Sequence, residues 1–277
     1  MKKLLLITLM LHMNLFLFAQ TTIDTVDIRI CYDVRMRLYE KKNKRVDEHW
    51  LDIGKNGTSK YYSYWKRVDQ ELMDSIYGAG GGYEDFNRIK HELGNPYSSF
   101  EFTIFKNFEM PNQLTGICIP YSDGKFLFTE EMGQDWIIDS DSIYYVLDHP
   151  CHKATSRFHG RTWIAFYATD IPIPEGPWIL CGLPGLILSA RDSKKDYMFS
   201  CMAIKTHINE PIIFDKEGTI TVTAQKIEKI LFNYRYNPLI LLKARVGGDV
   251  KVHDSKGREL NQTALEPVLM EYYEMDK

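Results

Sequence analysis

The chain has 277 residues, 44% of them hydrophobic, 26% charged and 13% aromatic, with 34 Lys plus Arg against 37 Asp plus Glu and a formal net charge of −3. That is the balance of a folded globular protein, and it excludes a disordered, collagen-like or multi-span membrane chain. Neither a basic excess nor a basic stripe is present, so nucleic acid is not expected as a partner.

Lys2 and Lys3 precede a mainly apolar run of 15 residues, Leu4 to Phe18, and Ala19 supplies a small residue for cleavage. A membrane span needs about 20 apolar residues, so residues 1–19 read as a signal peptide rather than an uncleaved anchor. No cysteine stands at the end of the run to carry an acyl anchor, and no later stretch is long and apolar enough to span. Residues 20–277 are expected to form a single exported domain with no transmembrane helix once the signal is removed. Five cysteines remain in it: Cys31, Cys118, Cys151, Cys181 and Cys201. Their odd number and wide spacing imply no dense disulfide framework; an oxidising compartment permits one or two bridges and leaves at least one thiol free.

In chain order, Val26, Ile28, Ile30, Tyr32 and Val34 fall at every second position, which predicts a long principal strand over Ile23–Tyr39. The cations of Lys41–Arg45 follow as a solvated turn. Trp50–Ile53 and Ser59–Tyr64 form a second hairpin around Gly54–Gly57. The period then changes: Val68, Leu72 and Ile76, with Trp65 and Met73 beside them, predict a helix over Tyr64–Tyr77. The Gly78–Gly82 run ends it. With neither a P-loop lysine nor a preceding strand, this run reads as a flexible surface loop and not as a phosphate cradle. A short helix is expected at Tyr83–Glu92. Segments at Phe100–Phe108, Gly116–Pro120, Lys125–Thr129 and Asp135–Asp139, separated by turn residues, point to an antiparallel sheet or open barrel. A helix over Thr223–Asn233 precedes an apolar Pro238–Lys243, the pair Gly247-Gly248 and a strand-like Val268–Tyr273.

The segment from Cys151 to Ile204 is the most informative. His159-Gly160 fits a primed two-residue hairpin turn. It sets Phe158 opposite Arg161, Ser156 opposite Trp163, Ala154 opposite Ala165 and His152 opposite Tyr167. Neither face of that hairpin is wholly polar, as expected of a sheet covering a core on one side and a groove or helix on the other. Pro172, Pro174 and Pro177 then impose an extended, edge-like crossing or loop over Ile171–Trp178 whose apolar residues still favour burial. Gly182–Gly185 reads as a type II turn with Pro184 presetting φ and Gly185 taking the positive φ. Leu186–Leu188 enters a strand, Asp192–Lys195 turns, and Tyr197–Ile204 returns.

The unbroken run Gly182, Leu183, Pro184, Gly185, Leu186 and Ile187, with Cys151–Thr155, Gly160–Trp163, Ile171–Ile173 and Gly176–Trp178 before it, resembles the GLPGLI (Porph_ging) family of uncharacterised exported proteins of Bacteroidetes. The resemblance covers about Trp136–Ile204. It implies a periplasmic or outer-membrane-associated envelope protein with a mainly β (α+β) fold: an antiparallel sheet or open half-barrel with one or two packed helices. It implies no particular activity.

His149, Cys151, His152 and His159 are the densest set of candidate metal ligands, but alternation sends His152 away from His149 and Cys151 and no fourth ligand is evident. No Gly-x-Ser-x-Gly elbow occurs, and the carboxylate pairs Glu130-Glu131 and Asp139/Asp141 read as surface charge. Arg161, beside Trp163 and Tyr167, is placed to stack on a ring or bind a carboxylate, or else to fasten the proline-rich crossing through its carbonyls. Trp163 and Trp178 suit a core as well as a ligand platform. The reading is therefore a non-enzymatic binding or accessory protein for an apolar ligand, a peptide or an envelope partner. Its tentative binding residues are Arg161, Trp163, Tyr167 and Trp178, with no cofactor, metal or catalytic residue assigned. The alternative is a hydrolase or metal-dependent enzyme using His149–His159.

Overall fold

Alternation makes the longest strand the hub of the molecule. In the computed structural model, which describes residues 20–38, 44–96, 98, 100–120 and 124–236, β1 (Gln20–Met36) is 17 residues long. Its register runs against β2 (Arg45–Gly54) on one side and β11 (Tyr197–Thr206) on the other, while its first residues pair with β12 (Pro211–Asp215). The signal peptide, most of the Lys41–Arg45 turn and the readings at Pro238–Lys243, Gly247-Gly248 and Val268–Tyr273 lie outside the described residues.

From β2 the sheet continues outward through β3 (Ser59–Ser63), β4 (Phe102–Lys106), β5 (Gln113–Cys118) and β6 (Lys125–Glu131), ending on β13 (Thr219–Thr221). From β11 it continues through β10 (Leu186–Asp192), β9 (Arg161–Ala168) and β8 (His149–Phe158), ending on β7 (Ile137–Val146). Every pairing is antiparallel except that of β13 with β6. The fold is thus mainly β, with three described helices outside the sheet: α1 (Tyr64–Gly78), α2 (Tyr83–Leu93) and α3 (Ala224–Tyr236). Among the described residues no helix is long and apolar enough to cross a membrane.

The proline-rich crossing does not lie along an edge. Residues 175–181 are buried, and Trp178, Ile179, Leu180 and Leu183 share one apolar cluster with Ile30, Tyr32, Leu51, Tyr61, Trp163 and Phe199. Prolines cannot complete a ladder, so the segment satisfies its polar groups through side chains from distant strands. Lys106 Nζ of β4 donates to the Gly176 carbonyl (3.0 Å) and pairs with Glu175 (2.6 Å), with both side chains buried. After β6, Gln134 bonds the Ile179 carbonyl and the Cys181 amide, and Trp136 Nε1 donates to the Cys181 carbonyl at 2.8 Å. On the other side the Ile187 amide of β10 donates to the Glu175 carbonyl. The crossing therefore ties together strands far apart in the sheet order.

The helices start and stop where side-chain chemistry dictates. Ser63 caps α1 by accepting from the Lys66 amide. The Gly78–Gly82 run is exposed in large part but pinned: the amides of residues 79–81 return to α1 carbonyls, and Asp85 accepts from the Gly82 amide to start α2. β7 runs further than Asp139. Leu147 and Asp148 at φ 49° and 64° make the turn into β8, a left-handed pair whose composition does not announce a turn.

Candidate functional site

The β8–β9 hairpin has the expected register, from Phe158 opposite Arg161 to His152 opposite Tyr167, and its turn residues His159 (φ 47°) and Gly160 (φ 67°) both lie in the left-handed region. The proposed binding residues on it serve the core. Trp163 and Trp178 are fully buried with ring centroids 5.5 Å apart, and Tyr167 is 4% exposed. Arg161 Nη1 donates to Asp192 (2.8 Å) and Asp196 (3.4 Å), and its guanidinium lies 4.9 Å from the Tyr197 ring centroid. It braces the β10–β11 turn. The proline-rich crossing is fastened by Lys106, which bonds the Gly176 carbonyl and pairs with Glu175.

The Gly182–Ile187 motif is a structural corner. The positive φ falls on Gly182 (85°), not on Gly185 as the type II reading expected. Gly185 is required for a different reason: a Cβ there would run into the Ala168 carbonyl of β9. Leu183, Leu186 and Ile187 are buried, Pro184 is exposed, and the Ile187 carbonyl accepts from Tyr32 OH (2.8 Å), bolting the corner to β1. Gly176 is constrained likewise, since a side chain would meet Ile187 and the Leu180 carbonyl.

The histidines diverge. His149 pairs with Asp170 at 2.8 Å at one end of the hairpin, while His159 pairs with Glu130 at 2.8 Å at the other. His152 lies 3.4 Å from the Ser142 carbonyl, with its ring 6.1 Å from that of Tyr167. Among the described residues no three His, Cys, Asp or Glu side chains are grouped to hold a metal. All five thiols are buried and free. Burial pushes Cys151 up to about 11 and Cys201 up to about 12, so at neutral pH the thiolate needed by a nucleophile is scarce.

Two other regions carry chemistry outside the main core. On the face of β1–β4 opposite the main core, register places Arg29 beside Asp52, Asp52 beside Lys60, Cys31 beside Trp50, and Trp50 beside Tyr62. Arg29 bonds Asp52 at 2.5 and 3.0 Å and Glu210 at 2.8 Å, and Tyr62 OH donates to Asp52 at 2.9 Å. Burial opposes the Arg29 charge, but the two carboxylates outweigh it and hold the guanidinium above its ordinary value. Trp50 stacks on Tyr64 at 4.4 Å, with Arg29 (4.3 Å), Arg67 (4.9 Å) and Lys205 (5.5 Å) around its ring. Beside this cluster, at the N-terminal end of α1, opens a cavity of about 190 Å³ lined by Lys60, Tyr62, Lys66, Arg67, Thr103 and Ile119 among others. Sequence reasoning assigned no role to these cations. The available signal was Lys66-Arg67 in a first helical turn lacking any acid.

The second region is the terminal strand β7. Among the described residues it is paired on one side only, with β8, and it is exposed along nearly its whole length. Ile137 (75%), Ile143 (61%) and Tyr145 (71%) stand in solvent together with Ile138, Tyr144 and Leu147.

No family model matches the chain, and no curated protein matches it. Among solved structures, one described as "Structure of PNGF-II in P21 space group" is similar at a TM-score of 0.49 and 12% identity, covering 76% of this chain and 34% of that one. The "Structure of PNGF-II in C2 space group" has the same score and identity, covering 76% and 33%. The chain spans about a third of the length of these solved structures.

Proposed function

We propose that this chain is an exported envelope protein of the GLPGLI type that works by binding, without catalysis, and that its partner is another envelope protein adding an extended segment to β7. The signal-like N-terminus supports export to the periplasm or the outer-membrane surface. The proline-rich crossing packs its own Trp178, Ile179 and Leu180 into the main apolar cluster, which favours binding at the periphery. The carrying observation is the open edge of β7. Among the described residues no strand pairs with that side, and three of its large apolar side chains are more than half exposed. Such an edge is a template for strand addition. Asp139 and Asp141 on the same strand favour a partner segment that alternates apolar with basic residues.

A photoreactive phenylalanine analogue at Tyr145, activated in the native envelope, tests this. The expected result is one discrete adduct with another envelope protein that disappears when Ile143→Lys places a charge on the edge. No adduct, an adduct indifferent to Ile143→Lys, or a crosslink to this chain's own residues 237–277 overturns the reading.

A further inference from the structure

The start of α1 carries the wrong charge for a helix on its own. A helix N-terminus bears roughly half a positive charge and is stabilised by Asp or Glu in the first turn. α1 has no acid there and places Lys66 and Arg67 at that end, where both line the cavity with Lys60 of β3. The Lys60 ammonium sits 5.0 Å from the Tyr62 ring centroid and 5.6 Å from that of Phe105, and forms no hydrogen bond or ion pair with any described residue. Lys66 Nζ has one long bond, 3.4 Å, to the Ile119 carbonyl. Arg67 Nε is buried without a partner, and Nη1 reaches only the exposed Glu71 at 3.4 Å. Burial lowers both lysine ammoniums below their ordinary values.

The carboxylates nearby do not cancel this charge. Asp52 is occupied by Arg29 and Tyr62, and Asp47 by His49, Ser63 and Ser98. Glu101 and Asp47, both buried, act on Lys66, while Lys60 and Arg67 keep donors that no described carboxylate beside them takes up. Three cationic side chains therefore line one opening at the start of α1, and Lys60 and Arg67 have donors to spare.

We propose that this cavity binds a phosphate monoester, its phosphate held by Lys60, Lys66 and Arg67 at the start of α1 and its organic part lying against Tyr62 and Ile119. A phosphate monoester carries about −1.5 to −2 charges at neutral pH, which matches the cationic cluster better than the single charge of a carboxylate. The arginine fork suits two phosphate oxygens, and Thr103 offers a hydroxyl on the same wall. The site stands on α1, β3 and β4 and is independent of the partner assigned to β7.

The test is calorimetric titration of the purified chain with glycerol 3-phosphate, alongside sedimentation with neutral phosphatidylcholine vesicles that either contain or lack phosphatidic acid. Saturable binding of glycerol 3-phosphate identifies a soluble ester; retention only on phosphatidic acid vesicles identifies a lipid headgroup. Either result supports the site provided that Lys60→Met and Arg67→Gln each weaken it at least about tenfold, while Arg35→Gln, on an exposed cation of β1, leaves it unchanged. Far-UV circular dichroism and the urea midpoint confirm that the variants fold. Absence of saturable binding to either probe, or equal binding by all three folded variants, overturns the proposal.

Discussion

The two faces of β1–β4 are one residue apart in sequence and opposite in chemistry. On the inner face Ile30, Tyr32, Leu51, Tyr61 and Ile104 are wholly buried in the main cluster. On the outer face Arg29, Trp50, Asp52, Lys60 and Tyr62 build a layer of rings and charges that is only partly closed by α1. Apolar area removed from water stabilises the first face in proportion to its extent. The second is stabilised only while each charge keeps its partner, because an ion pair taken out of water returns little beyond its desolvation cost. The inner face therefore holds the fold, and the outer face is where unmatched charge is left over for a ligand.

The largest effect is expected inside. Trp163→Ala should cost about 3–5 kcal/mol in urea denaturation, because the site is enclosed by Trp178 and Phe199 and cannot collapse. A loss below about 1 kcal/mol would mean that the inner face is not the stabilising one. On the outer face Asp52→Ala should cost about 3 kcal/mol, since it strands Arg29, whose side chain is 6% exposed, with only the half-exposed Glu210. The paired replacement Arg29→Met with Asp52→Leu should cost less than half of that in the same assay. If the double variant is as unstable as the single one, the pair is not a balanced unit.

The smallest effect is the pH dependence of the outer layer and its neighbour Asp47. Hydrogen bonds from Arg29 hold Glu210 below its ordinary value, while at Asp47 burial acts upward but the bonds from His49, Ser98 and Ser63 outweigh it. The unfolded chain then takes up protons before the folded one does. Both contributions are complete above about pH 5 and fade as pH falls through and below the ordinary carboxylate range. The urea midpoint should hold from neutrality to that point and drop on further acidification, less steeply in Asp47→Asn; a midpoint that rises into acid contradicts the sign.

Much of the fold was legible residue by residue. Alternation marked β1, β2, β3 and the β8–β9 hairpin, and the change of period at Tyr64 marked α1. β12, β13 and the second half of β7 were not legible. Ile143, Tyr144 and Tyr145 follow a polar stretch and precede a Leu-Asp turn, and the register of β7 against β8 shifts between Asp139 and Tyr144. The candidate sites were less visible still. Trp163, Tyr167 and Trp178 stand out by residue type, yet large aromatics stand out equally in cores and in binding sites, and burial places these three in the core. Lys60 and Lys66 look like ordinary surface lysines until β3 and α1 bring them to one opening.

The sequence by itself determined which residues share a face, where the hairpin turns, and that the proline-rich crossing cannot be a strand, because these follow from side-chain period, φ preference and a missing amide hydrogen. Only the tertiary structure decided that the crossing is buried in the main core, that Lys106 fastens it while Arg161 braces the β10–β11 turn, and that cations from a strand and a helix line one opening outside it. Those are long-range juxtapositions, set by how distant strands close over one another, and no local pattern of residues encodes them.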